Sequence, residues 1–292
     1  MSVHVPVMTA EVVEALRPGR GGVYVDCTVG LGGHARALLS GGASRLIGID
    51  RDQAALAGAG EALAEWGSRV ELVHGDYRGV ARVLDERGIE AIDGAVADLG
   101  VSSLQLDGAG RGFSFQRDEA LDMRMDASQG PTAADLVAAA DERDLADVIY
   151  RYGEERRSRA IARAIVAARR AAPIRTTAQL AAVVRRAAGR RGRIDPATRT
   201  FQAIRIWVND ELDGLDAFLR AVCARLHGGA RFAVVTFHSL EDRPVKHTFR
   251  ALAADGGSFR LLTKKSLVPG EDERRSNPRA RSARLRAIER VG

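Results

Sequence analysis

Aromatic side chains make up only 5% of the 292 residues. Base stacking, which needs aromatic faces along a strand, is therefore excluded as the main source of affinity for a nucleic acid. Cysteine occurs twice, at Cys27 and Cys223. Two thiols cannot build a disulfide framework or a four-thiolate zinc site, so they read as small hydrophobes in a reducing compartment. The six histidines show no metal-ligand spacing, and no metal site is expected. No apolar run approaches a membrane span, and the opening MSVHVPVMTA lacks a signal peptide's cationic start and apolar stretch. The expectation is a cytoplasmic protein with no membrane partner. Internal repeats are missing. Lysine is nearly so: only Lys246, Lys264 and Lys265 among 44 basic residues, the rest being arginine.

What is present supports a sizeable core, since 46% of the chain is hydrophobic. The net charge of +6 is unevenly spread. Residues 1–110 sum to −6, 111–150 to −5, 151–205 to +12, 206–259 to −1 and 260–292 to +6. Such asymmetry points to a polyanionic partner.

Short apolar runs over 23–27, 45–50, 70–74 and 94–99 alternate with helical patterns such as 33–40 and 53–66. That spacing predicts βαβ units and a parallel sheet. A fifth strand is expected over 231–237. The gap of more than a hundred residues before it is too long for a loop. Helical patterns fill it, over 132–140, 141–152, 155–172, 177–188 and 196–207, with Thr132 and Asp141 as N-caps and Gly153 and Gly189 as stops. A helix over 209–226 follows, ended by Gly228 and Gly229. Strands over 259–263 and 284–289 are expected as an antiparallel pair at the sheet edge. The boundaries read as a discontinuous α/β domain, 1–110 with 206–292, interrupted by an all-helical insertion over 111–205.

Chemistry-bearing residues gather at the predicted strand ends. The first strand runs into Asp26-Cys27-Thr28-Val29-Gly30-Leu31-Gly32-Gly33-His34. A glycine turn lets a ligand approach the backbone and aims a helix N-terminus at it. Asp50 ends the second strand, where an acid accepts hydrogen bonds from ribose hydroxyls. The third strand leads to Tyr77, beside an expected adenine, and the fourth ends at Asp98. Gly30, Gly32 and Ala35 also satisfy the loose dinucleotide fingerprint. Asp26 suits a cationic amino-acid moiety better than a pyrophosphate, and the antiparallel edge fits a methyltransferase sheet. S-adenosylmethionine is thereby favoured over NAD, within a Rossmann-like class I methyltransferase fold.

In these residues the chain resembles the ribosomal RNA small-subunit methyltransferase H family, also called MraW. The resemblance spans nearly the whole chain in ordered blocks: HVPVM around Val5, DCTVGLGGHA from Asp26, DLGVSSLQLD from Asp98, RGFSF from Arg111 and LDMRMD from Leu121. The later blocks are YGEERRSRAIARAIV from Tyr152, PATRTFQAIRIWVNDEL from Pro196, FHSLEDRPVK from Phe237 and NPRARSARLRAIER from Asn277. The resemblance implies methyl transfer from S-adenosylmethionine to N4 of a cytidine in the decoding region of 16S rRNA. It implies Gly32, Gly33, His34, Asp50, Tyr77, Asp98 and Gln105 as cofactor contacts. Of these, Gln105 follows from the resemblance alone. The partner it implies is 16S rRNA, within the small subunit or an assembly intermediate; a homo-oligomer stays open.

The reaction is an in-line displacement at an activated sulfonium, so positioning and electrostatics carry it. The N4 lone pair is delocalised into the ring, and an acceptor on its N–H groups makes it nucleophilic. Two roles stand open to Asp98: that acceptor, or a cofactor ligand only. Amino-methyltransferases usually carry an Asn/Asp-Pro-Pro-aromatic motif here, whereas this chain has Asp98-Leu99-Gly100-Val101-Ser102, so Phe113 or Phe115 is expected to supply the missing aromatic. His238 either relays a proton or merely packs while Ser239 and Asp242 cap the next helix. For RNA, Arg156, Arg159, Arg163 and Arg170 fall on one helical face opposite Ile161, Ile165, Ala168 and Ala172. Arg190, Arg191 and Arg193 form a second basic cluster. Phe201 and Trp207 are expected to join the insertion to the α/β core.

Overall fold

The computed structural model describes residues 6–189 and 195–292. Seven strands form one sheet: β1 (Val23–Asp26), β2 (Arg45–Asp50), β3 (Val70–His74), β4 (Ile92–Asp98), β5 (Leu226–Thr236), β6 (Phe259–Leu261) and β7 (Arg284–Arg290). Their order is β3-β2-β1-β4-β5-β7-β6. The first five run parallel, and β7 is antiparallel to both β5 and β6. The central strands are apolar throughout because both faces are covered. On one face Val25, Ile47, Ala95, Phe232 and Val234 pack against Leu84, Phe218, Leu219 and Phe249. On the other, Tyr24, Leu46, Val96, Ala233 and Val235 pack against Val12, Leu38 and Leu39.

The expected antiparallel pair lies at the sheet edge, with β7 beside β5 and the three-residue β6 outermost. The sequence expectation fails in two places around β5. Gly228 and Gly229 do not precede the fifth strand but lie within it. Between the pairs Ile92–Leu226 and Gly94–Arg231, residues 227–230 bulge opposite the single residue Asp93. Asp93 fills that bulge, accepting from Val23 N–H at 2.7 Å and meeting His227 Nε2 at 2.7 Å. The helix before β5 starts at Leu215 rather than 209, because Asn209 ends the preceding helix and Asp210 turns left-handed at φ 48.

Asp242 does not cap a helix. It forms a buried, two-pronged pair with Arg286 of β7, Nε to Oδ1 at 2.7 Å and Nη2 to Oδ2 at 3.0 Å. Removing one partner strands the other charge away from water. Asp242→Ala is therefore expected to cost about 3–5 kcal/mol in urea unfolding. A loss under about 1 kcal/mol would show that the pair is not holding helix and strand together.

The chain divides into two units, residues 1–100 with 214–292, and residues 101–213. The sequence places the divisions at 110/111 and 205/206. The later second division reflects one unbroken helix, Ala197–Asn209, whose Phe201, Ile204, Trp207 and Val208 all serve the second unit's core. Phe201 and Trp207 thus belong to the packing of the helical unit itself.

That unit is built from Ser103–Asp107, Ala133–Ala139, Glu142–Gly153, Ser158–Ala171, Thr177–Ala188 and Ala197–Asn209. Leu145, Ile149, Ile161, Ile165, Leu180, Val184 and Phe201 make its centre. Thr132 caps one helix through a reciprocal box with Asp135, and Asp141 caps the next. Gly189 ends its helix at φ 65. Gly153 is instead the last helical residue, and Glu154 makes the left-handed exit at φ 49. Glycine is needed at 153 for close approach, since a Cβ there would stand 2.6 Å from the Arg199 carbonyl oxygen. No described helix is long and apolar enough to cross a membrane.

Candidate cofactor site

The site grows from the carboxyl ends of neighbouring parallel strands, where βα loops leave room for a ligand. Asp26 ends β1. The register sets it level with Gly48 of β2 and Val96 of β4. Asp50 and Asp98 therefore each stand two residues further along, one on either side. Three carboxylates thus fringe one loop.

That loop is held by backbone donors. Gly32 caps the helix Gly33–Ser40 at φ 82, a conformation that glycine adopts freely. A Cβ on Gly33 would stand 2.6 Å from Pro6 Cγ, so the helix start packs directly against that proline. Asp50 accepts from Gly30 N–H at 2.8 Å and Asp52 N–H at 2.9 Å. Burial raises its pKa, opposed by those two donors. Asp98 N–H donates to Thr28 Oγ1 at 2.7 Å, tying the end of β4 to the loop after β1.

Asp26 is fully buried. Its Oδ1 accepts from Thr28 N–H at 3.2 Å, while Oδ2 has no hydrogen bond. Burial pushes its pKa up to about 7, against the pull of His34 and the Thr28 N–H; Asp98 and Asp50 add to the rise. His34, in the first turn of the helix, is also buried, with Nε2 3.5 Å from Asp98 Oδ2. Burial opposes a charge on this ring. Asp98, then Asp26 and Glu273, outweigh it and raise the pKa above the ordinary histidine value. The imidazole thus sits in the combined field of two site carboxylates. Asp98 Oδ1 likewise has no hydrogen bond.

The loop after β3 adds an aromatic. Tyr77 lies with its ring 4.5 Å from that of Phe218, and the Arg51 guanidinium stands 5.9 Å from its centroid. Asp76 pairs with Arg51 and Arg78. Burial works against its charge, but the two arginines hold its pKa below the usual value.

His238, after β5, is the N-cap of the helix Ser239–Ala254. Its Nε2 lies 3.1 Å from Glu241 Oε1, and Glu241 Oε2 accepts from Phe237 N–H at 2.8 Å. This local ring of contacts, rather than Ser239 or Asp242, forms the helix start.

Gln105 belongs to the helical unit. Its Oε1 accepts from Ser102 N–H at 2.9 Å in a capping box that starts the helix Ser103–Asp107. Phe113 is buried in that unit's core. Phe115 has Phe201 edge-on at 4.9 Å and the Arg185 guanidinium over its ring. Both rings are taken up by internal packing, which removes Phe113 as a base-stacking surface.

Arg159, Arg163 and Arg170 lie exposed on the helix Ser158–Ala171, with Ile161 and Ile165 buried. Arg163 reaches Glu142 at 3.5 Å. Arg156 is exposed but precedes the helix, whose N-cap is Arg157, a donor to Ala188 O; Ala172 is the exposed C-cap. Arg190, Arg191 and Arg193 lie outside the described residues.

The α/β unit's arrangement suits one kind of ligand. Asp26 Oδ2 is a buried acceptor in want of a cation. Asp50 retains lone pairs for hydroxyl donors, and Tyr77 offers a ring to a planar base. A pyrophosphate beside Asp26 would set anion against buried anion, which argues against the dinucleotide reading of the glycine pattern. An adenosine carrying an ammonium at its far end matches the donor set.

A family model described as the MraW methylase family matches residues 1–291. The chain is 54% identical to the ribosomal RNA small subunit methyltransferase H of Nitrobacter winogradskyi, covering 99% of this chain and 91% of the relative. It is 51% identical to the proteins of that name from Bradyrhizobium diazoefficiens and Sorangium cellulosum, with 99% of this chain covered in each case and 92% and 91% of the relatives.

Proposed function

The chain belongs to the MraW methylase family, and from that premise we propose that it transfers a methyl group from S-adenosylmethionine to N4 of a cytidine in the decoding region of 16S rRNA. The observation that carries the reading is the pair of carboxylates at the ends of adjacent strands, buried Asp26 and half-buried Asp98, with buried His34 beside them and one oxygen of each without a hydrogen bond.

In this reading Asp26 holds the cofactor's ammonium and Asp50 its ribose hydroxyls. Tyr77 lies against the adenine, Gly32 and Gly33 admit the chain of the cofactor, and Gln105 completes the contacts. When bound, the cofactor supplies an electrophilic methyl on a sulfonium. Asp98 accepts an N–H of the cytosine amine, localises its lone pair and retains the proton released as N4 gains the methyl. His34 lies beside Asp98, and the neighbouring carboxylates raise its pKa above the ordinary histidine value. His238 is a secondary candidate for relaying that proton onward.

Arg156, Arg159, Arg163 and Arg170, together with Arg190, Arg191 and Arg193, are proposed to meet rRNA phosphates, the substrate being presented in the small subunit or an assembly intermediate. Mass mapping of rRNA nucleosides with and without the protein tests the function: N4-methylcytidine should vanish from one site. An unchanged map sinks the reading. Replacing Arg159, Arg163 and Arg170 together with Ala should flatten the slope of log affinity against log salt by about two, at unchanged cofactor affinity. A slope equal to the wild type's would remove this face from RNA contact.

A further inference from the structure

The three lysines of the chain are not scattered. Lys246 lies on the helix Ser239–Ala254, and Lys264 and Lys265 follow β6. Lys246, Phe249, Arg250, Leu261, Thr263, Lys264 and Arg286 line one small pocket, open to solvent. No acid lines it. Phe249 and Leu261 give it apolar wall. Thr263 Oγ1 accepts from Ala287 N–H at 3.0 Å, which leaves its own O–H to donate. Arg286 is neutralised by Asp242, which engages its Nε and one Nη and leaves the other Nη as a donor. Lys246, Arg250 and Lys264 bring three further positive charges, none of them ion-paired among the described residues.

This arrangement is unfavourable without an anion. Lys246 and Arg250 are four residues apart on one helix face, where like charges repel. Lys264 adds a third charge from across the pocket. Lysine is also the unusual choice in a chain that otherwise uses arginine. Its compact ammonium acts as a point charge toward a phosphate oxygen, where a guanidinium demands a planar, two-pronged partner.

The topology says which anion. β7 is antiparallel to β5 and to β6, so β6 runs parallel to β5. The end of β6, which leads into Thr263 and Lys264, therefore opens on the same edge of the sheet as Asp26, Asp50 and Asp98. In the strand order, β6 stands three places from β4, roughly 15 Å at ordinary strand spacing. We propose that this pocket binds a backbone phosphate of the RNA flanking the target cytidine. The proposal rests on the rRNA reading above and adds a second grip, in the α/β unit, to the one expected of the helical unit.

The test is a Lys246→Ala/Lys264→Ala double variant of the full chain, assayed for rRNA binding across a salt series and for methyl transfer. Both side chains reach solvent, and cofactor affinity checks that the site has folded. The expected result is a rise in KM for rRNA of about tenfold near physiological salt and a salt slope shallower by about 1.4, the value for two single-strand phosphate contacts. The turnover at saturating RNA and the cofactor affinity should stay as in the wild type. A Lys246→Arg/Lys264→Arg variant should recover the salt slope while recovering affinity only in part. Unchanged KM and slope in the alanine variant overturn the proposal. So does a pocket that takes inorganic phosphate in the wild type, at millimolar concentration, without displacing RNA, since that marks a site for a free anion. If the wild type itself neither binds nor methylates rRNA, the functional reading fails instead, and the two failures are distinct.

Discussion

Asp98→Ala should lower the single-turnover rate of methyl transfer by about 10²–10⁴-fold at saturating RNA and cofactor, the usual contribution of a positioned proton acceptor. That corresponds to roughly 3–5 kcal/mol of barrier. Asp98→Asn keeps one acceptor oxygen but cannot take a proton, so it should fall between the wild type and the alanine variant. Saturation separates the two roles open to this residue. If Asp98 only holds the cofactor, the alanine variant will need more cofactor yet reach the wild-type rate. That outcome would end its catalytic assignment. The geometry favours the acceptor role. Oδ2 already faces the His34 ring at 3.5 Å, and Oδ1 is buried without a hydrogen bond. A carboxylate with an imidazole on one side and an unsatisfied oxygen on the other is pre-aimed at a donor.

Asp26→Asn should make the cofactor-free protein more stable at pH 8 while weakening cofactor binding. The ordinary value for Asp26 is 3.8, and burial raises it to about 7 in the folded state. A raised pKa means that the group's contribution to stability is fully present below 3.8 and is lost as pH rises through about 7. At pH 8 the buried charge therefore costs about 4 kcal/mol relative to acid conditions. Asparagine removes that charge and still accepts the Thr28 N–H. Urea unfolding without cofactor at pH 5 and pH 8 should show the variant gaining on the wild type as pH rises. Calorimetry should show cofactor affinity lower by about 10–100-fold, since one charge-assisted hydrogen bond is lost. A variant less stable than the wild type at pH 8 would mean that Asp26 already has a cationic partner in the free protein. Instability at this position is thus the complement of binding: the cofactor's ammonium relieves it.

Much of this site was legible in the sequence because strand ends are legible. Asp26, Asp50 and Asp98 each close an apolar run, and parallel strands of similar length bring such residues to one edge. What was not legible depends on side-chain direction. His34 reaches the field of Asp26 and Asp98 only because the helix begins at Gly33 and its first turn points the ring back across the loop. No periodicity carries that information. Thr28 was missed for the same reason, its hydroxyl accepting a backbone donor from a strand 70 residues away. Asn209 looked like a helix start by composition. Its amide is instead engaged by backbone groups of Met123 and Met125, so the residue ends a helix. The blocks RGFSF and LDMRMD entered the sequence reading only through the family resemblance. Within the helical unit, Arg111 donates to the carbonyls of Arg124 and Met125, and Arg124 pairs with Asp122. Their evident task is to staple a long irregular segment whose Phe113, Leu121 and Met123 enter the core.

The strand order also has a consequence in time. β4 is complete at Asp98, but its neighbour β5 begins only at Leu226. During synthesis, at about 5–20 residues per second, the open edge of β4 waits on the order of ten seconds for its partner. An unpaired central strand is a template for other chains. The same interval is when residues 101–213 emerge, a segment with its own core. The nascent chain therefore has something to fold while its sheet is still half built.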